Sequence, residues 1–132
     1  MIVYADLCRP DHHKNGLEKL MRQKLPGRAE YIHGLDELKN RLRASLYNID
    51  IMVIHVGDSS PIKELLEHQN DLKELNIILI INEIASNERI AQLLKLYPRY
   101  MTFDPADQIV MSLLEHRLRE KEQPFKTAAN TN

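Results

Sequence analysis

Two uninterrupted apolar runs in the middle of the chain constrain its fold more than any other feature. They are Ile51-Met52-Val53-Ile54 and Ile77-Ile78-Leu79-Ile80-Ile81. Runs of this length with no alternating polar face are typical of central parallel strands, which are buried on both sides of the sheet. Parallel neighbours need a crossover connection, which is usually a helix. The chain should therefore alternate strands with amphipathic helices.

The rest of the sequence shows this alternation. Shorter apolar runs at residues 2–5, 29–33 and 100–103 supply three more strands, and Glu30 inside the second suits an edge strand. Apolar residues at helical spacing mark the helices, namely Leu17, Leu20, Met21, Leu25, Leu35, Leu38, Leu42, Leu46, Ile62, Leu65, Leu66, Leu72, Leu75, Ile90, Leu93, Leu94, Tyr97, Ile109, Val110, Leu113, Leu114 and Leu118. Successive strand–helix units with right-handed crossovers predict an α/β protein, a three-layer (βα)5 sandwich with a flavodoxin-like parallel sheet of order 2-1-3-4-5.

Length and composition indicate one soluble domain. The chain has 132 residues, 43% of them hydrophobic and 28% charged. We expect a domain over residues 1–120 and a polar tail or linker over 121–132. A lone cysteine, Cys8, excludes an internal disulfide, and no apolar run approaches the ~20 residues of a membrane helix. With no signal-peptide pattern at the start, these features predict a cytoplasmic protein that does not associate with membranes.

Several function classes conflict with the composition. A net charge of −1 and 5% aromatic residues argue against binding of nucleic acid. The four glycines of the chain form neither the glycine-rich fingerprint of a dinucleotide-binding site nor a Walker loop. No Gly-x-Ser-x-Gly elbow occurs, and no set of nucleophile, base and oxyanion donors can be placed, so we expect no enzymatic activity.

Polar residues cluster where the predicted strands end. Ligands of open parallel sheets bind at this carboxyl edge. Asp6 ends the first strand, His55 the third, Asn82 the fourth and Asp104 the fifth. The edge is therefore acidic and carries an imidazole.

Three features carry a resemblance: the order of elements, the acid that ends the first strand, and the Asp104-Pro105 step that closes the fifth. In these features the chain resembles a response-regulator receiver domain from Met1 to about Glu120. In that family, two adjacent acids on strand one hold Mg²⁺, and an aspartate on strand three accepts phosphate. Strand four ends in Thr or Ser, and strand five ends in Lys-Pro. Here the acid pair reads Ala5-Asp6, and the other three positions fall on His55, Asn82 and Asp104.

These departures bear directly on phosphorylation. Transfer of a phosphoryl group needs an acidic nucleophile, a divalent cation and a positive side chain that neutralises developing charge. With Asp104 in place of the lysine, the electrostatic repulsion between its carboxylate and a phosphoryl oxygen costs about 4 kcal/mol at a separation of ~4 Å. The resemblance therefore implies a pseudo-receiver, a signalling module of two-component type that acts without phosphorylation. Asp58, in the following loop, is the alternative acceptor.

Simpler roles exist for the same residues. Asp104, ahead of Pro105, fits a helix N-cap, and Asp58, Ser59 and Ser60 ahead of Pro61 fit a cap of the third helix. His55, at the end of a buried strand, fits a hydrogen-bonded core histidine.

An alternative function is a sensor that binds a metal or a small ligand. No cofactor is required by the pattern, but a divalent metal is possible, because the edge supplies transition-metal ligand types. The candidate ligands are Asp6, Cys8, His12, His13 and His55.

The resemblance also implies a partner surface, since receiver domains associate through helix four, strand five and helix five. We expect a signalling protein, or a second copy of the chain, to bind there. The candidate contact residues are Arg89, Lys95, Arg99, Tyr100, Met111 and Arg117.

Overall fold

The computed structural model describes residues 1–8, 16–44, 46–57, 60–81 and 86–122. Within these residues, strands and helices alternate as predicted. The strands are β1 (Ile2–Asp6), β2 (Ala29–His33), β3 (Ile51–Val56), β4 (Ile77–Ile81) and β5 (Tyr100–Phe103). The helices are α1 (Gly16–Lys24), α2 (Leu35–Arg43), α3 (Ile62–Leu66), α4 (Gln69–Leu72), α5 (Asn87–Leu93) and α6 (Asp107–Glu122), and a 3₁₀ turn follows α5 at Leu94–Leu96.

All strand pairs are parallel, and the sheet order is β2-β1-β3-β4-β5, which confirms the predicted topology. Every residue of β1, β3 and β4 is buried, whereas β2 and β5 are only partly covered. Central strands with both faces covered require apolar side chains at successive positions, and the unbroken apolar runs supply them. The fold is therefore flavodoxin-like.

Two apolar clusters lie on opposite faces of the sheet. Val3, Met52 and Leu79 point towards α2, α3, α4 and α5. Tyr4 and Val53 point the other way, towards α1 and α6. Alternate residues of each strand thus serve different helical layers, as the two-residue period of a strand requires. Each fully buried aliphatic side chain contributes about 1.5–3 kcal/mol of transfer free energy.

The structure differs from the predicted helices in three places. The apolar stripe between β3 and β4 forms two short helices, α3 and α4, in place of one. Tyr97, expected on the stripe of the next helix, follows the 3₁₀ turn with a φ of 53° and is 67% exposed, because this left-handed residue turns the chain away from the core. α6 extends to Glu122, two residues into the predicted tail, and residues 123–132 lie outside the described part.

None of the helices in the described ranges is long and apolar enough to cross a membrane.

Candidate functional site

The carboxyl edge of β1, β3 and β5 brings together three of the predicted site residues, namely Asp6, His55 and Asp104. Asp6 and His55 are direct partners in the parallel register, so their side chains leave the same face of the sheet. Tyr4 lies two residues before Asp6 and shares that face, which α1 and α6 cover. Asp104 directly follows β5, and its backbone N–H donates to the carbonyl of Ile81 at 2.9 Å. The fourth predicted residue, Asn82, lies outside the described residues.

His55 is the centre of a buried hydrogen-bonded chain. Its Nδ1 lies 2.8 Å from the Tyr4 hydroxyl, and its Nε2 lies 2.7 Å from Oδ2 of Asp104. Tyr4 is fully buried and His55 is 2% exposed, whereas Asp104 is partly exposed. The chain therefore runs from the core under α1 and α6 to the solvent at the rim of the sheet.

The hydrogen-bond pattern assigns the protons in this chain. A carboxylate only accepts hydrogen bonds, so Nε2 of His55 carries the proton that Asp104 accepts. In the neutral imidazole, Nδ1 then keeps its lone pair and accepts from the Tyr4 hydroxyl. Asp104 thus fixes both the tautomer and the ring orientation of a histidine that has little access to water.

Replacing Tyr4 by phenylalanine removes only the hydroxyl of this chain. We expect the free energy of unfolding to fall by about 0.5–1.5 kcal/mol, the net value of one buried hydrogen bond. Urea denaturation measures the change, and Tyr97→Phe is the matched control, because its ring is 67% exposed. Equal losses in the two variants would contradict the role given to the Tyr4 hydroxyl.

Asp104 is not the helix cap that its sequence context suggests. α6 begins at Asp107, and its first bond runs from the Val110 N–H to the Ala106 carbonyl. Asp104 therefore lies too far upstream to accept from the first turn of the helix, and its carboxylate binds the His55 imidazole instead. The Asp104–Pro105 peptide bond is cis.

Ser60 is likewise not a cap of the third helix. α3 has no side-chain cap, since Pro61 precedes it. The Ser60 hydroxyl accepts from the Gly57 N–H at 2.8 Å and donates to the Leu7 carbonyl at 2.7 Å, and so ties the loop after β3 to the end of β1. Asp58 and Ser59, including the alternative phospho-acceptor, lie outside the described residues.

A second group of side chains borders His55 on the β1 side. Asp6 is 9% exposed, and its Oδ1 accepts from the backbone N–H of Cys8 at 2.9 Å. The Cys8 thiol donates to the His55 carbonyl over 3.8 Å. One potential ligand atom from each of Asp6, Cys8 and His55 lies within 4.8 Å of the other two. His12 and His13, the other predicted ligands, lie outside the described residues.

Only some of the residues predicted to contact a partner have exposed side chains. Met111 is 2% exposed and packs in the α1–α6 cluster, so its prediction as a contact residue is wrong. Arg89 reaches back to the rim, where its Nη2 donates to the Gly57 carbonyl at 2.7 Å. The side chains of Lys95, Arg99 and Arg117 are exposed, and Tyr100 is half-buried.

Tyr4 is the site residue that the sequence analysis missed. It lies inside an apolar strand, where the sequence pattern indicates only a core residue. Its position two residues before Asp6, on the same strand face, is the signal that places its hydroxyl near the carboxyl edge.

Comparisons of the chain with protein-family models, with curated proteins and with solved structures found no match. Its function must therefore be argued from the geometry of the site.

Proposed function

We propose that this protein is a receiver-like signalling module that works without phosphorylation and acts by binding another protein. The observation that carries the proposal is the 2.7 Å contact between His55 and Asp104. In the receiver pattern, His55 stands at the phospho-acceptor position and Asp104 at the position of the lysine. The positions that would need a phospho-acceptor and a lysine are thus occupied by an imidazole and a carboxylate that bind each other.

The surroundings of His55 argue against its acting as a phosphate acceptor itself. The lone pair on Nδ1 faces the buried Tyr4 hydroxyl, and Nε2 faces a carboxylate. An incoming phosphoryl group would have to approach past the negative charge of Asp104, with no lysine at that position to neutralise its oxygens. The centre therefore fits a structural link between β1, β3 and β5 better than a phosphate-accepting site.

The protein-binding part of the proposal is supported by a groove of about 310 Å³ between β5 and α6. Ile78, Tyr100 and Leu113 contribute apolar lining. The charged lining residues are Arg99, Arg117 and Glu120, and Glu120 lies 3.8 Å from Arg117. An apolar side chain flanked by carboxylates on a partner would complement this surface. With two arginines against one glutamate, the groove keeps a net positive charge, so an acidic signalling protein complements it better than a second copy of the same surface does.

Treatment with acetyl phosphate and Mg²⁺ tests the central claim. We expect intact-protein mass spectrometry to show no phosphoryl adduct, while a phosphorylatable receiver domain treated in parallel is modified. We also expect no change in melting temperature with beryllofluoride and Mg²⁺. A stoichiometric, Mg²⁺-dependent adduct that disappears in Asp58→Ala would overturn the proposal.

Sedimentation velocity tests the choice of partner. We expect the wild-type chain to remain monomeric across a wide concentration range. A concentration-dependent dimer that is lost in Arg99→Glu with Arg117→Glu would make a second copy, not an acidic protein, the occupant of the groove.

A further inference from the structure

We propose that Asp6, Cys8 and His55 form a transition-metal site at the carboxyl edge of β1 and β3. The site goes beyond the proposed binding function and does not depend on it. A carboxylate oxygen, a thiol sulfur and an imidazole nitrogen lie within 4.8 Å of one another there. Asp6 and His55 are buried, and Cys8 is half-buried, so the cluster is sheltered yet open on one side.

The cluster must contract slightly to hold an ion. Zinc binds sulfur at about 2.3 Å and nitrogen or oxygen at about 2.0–2.2 Å, so tetrahedral ligand atoms lie roughly 3.3–3.8 Å apart. Cys8 lies two residues after the end of β1, and its thiol bond to the His55 carbonyl is long at 3.8 Å. Rotation of the Cys8 side chain is therefore the movement that closes the cluster.

Gly57 keeps room beside the thiol. A Cβ at this position would lie 3.3 Å from Sγ of Cys8, which is closer than most such contacts in proteins. The absence of a side chain directly after β3 thus avoids a tight contact with the Cys8 thiol.

The donor set selects the class of metal. Mg²⁺ requires oxygen ligands in near-octahedral geometry, and within the cluster only Asp6 supplies one from its side chain. The Mg²⁺ that the receiver resemblance implies therefore does not fit these residues. A thiolate, an imidazole and a carboxylate suit Zn²⁺, Co²⁺ or Ni²⁺, with water in the remaining position.

His55 must exchange one hydrogen bond for the ion, because both of its nitrogens have partners. While Asp104 holds the proton on Nε2, Nδ1 is the nitrogen with a lone pair. Binding of the ion through Nδ1 therefore breaks the hydrogen bond from the Tyr4 hydroxyl. A carboxylate that binds the second nitrogen of a metal-ligating histidine orients the ring and raises its basicity. Asp104 is thus a positioning residue for this site.

Titration of the chelator-treated protein with Co²⁺ tests the site. We expect one Co²⁺ per chain and a thiolate-to-cobalt charge-transfer band in the near ultraviolet. Cys8 is the chain's one cysteine, so the band reports on this position alone. Bound Co²⁺ should also slow alkylation of the thiol, and Mg²⁺ should neither produce the band nor displace the ion.

Three variants make the test specific. Cys8→Ser should abolish the band and, like Asp6→Asn, weaken Co²⁺ binding by roughly tenfold or more, since even indirect partners of metal ligands contribute that much. His116→Ala, which changes an exposed histidine on α6, should bind Co²⁺ as the wild type does. Circular dichroism checks that each variant is folded. Absence of the band in the wild type, or unchanged Co²⁺ affinity in Cys8→Ser, would overturn the proposal.

Discussion

Replacing His55 by alanine should lower the free energy of unfolding by about 2–5 kcal/mol. The imidazole is 2% exposed, so its loss leaves a cavity at the end of β3. The fully buried Tyr4 hydroxyl also loses its imidazole acceptor, and Asp104 loses its donor. Because small domains are stable by only about 5–15 kcal/mol, the change should be plain in a urea or guanidinium denaturation curve.

His33→Ala is the matched control for this variant. His33 ends the edge strand β2, its side chain is 57% exposed, and its Nε2 contacts Glu18 at 2.8 Å. An exposed pair of this kind contributes little, so we expect a loss below about 1 kcal/mol. If His33→Ala and His55→Ala were equally destabilised, the hydrogen-bonded chain through His55 would not be the structural link described above.

Replacing Leu79 by alanine should cost about 2–5 kcal/mol of unfolding free energy. Leu79 lies in the middle of β4, is fully buried and packs in the cluster on the α2–α5 side. The neighbouring strands β3 and β5 hold its backbone in register, so the structure relaxes only partly into the space left by the side chain. Chemical denaturation measures the loss. A circular dichroism spectrum close to that of the wild type would show that the fold is kept.

Leu94→Ala is the corresponding control on the surface. Leu94 begins the 3₁₀ turn after α5 and is 48% exposed. Removing it takes away less buried area and leaves no closed cavity, so we expect less than half of the loss seen for Leu79→Ala. A Leu79→Ala protein as stable as Leu94→Ala would contradict the placement of β4 at the centre of the sheet.

The sheet could be predicted because its signal is local. The apolar runs that form β3 and β4 indicate by themselves that both strands are buried. The rules for connections between parallel strands then leave few possible strand orders for a five-stranded sheet. Helix details were less predictable. The stripe from Ile62 to Leu75 satisfies one helix or two short ones equally well, since Leu65 and Leu72 face the core in either case.

The candidate site was predicted only as a set of residues near one edge. Asp6, His55 and Asp104 were placed there because they end strands. Their contacts were not foreseen, and Asp104 has the sequence context of a helix cap. Met111 was expected on the surface, but α6 turns this residue towards α1 and the sheet.

The sequence by itself determined the class of fold, because burial on both faces of a strand demands apolar residues at successive positions, and that demand is visible in a few residues at a time. Only the tertiary structure decided which side chains meet. Tyr4 and His55 are 51 positions apart, and His55 and Asp104 are 49 apart. Contacts over such separations depend on strand register and on where each loop leaves the sheet, and neither is a property of the neighbouring residues.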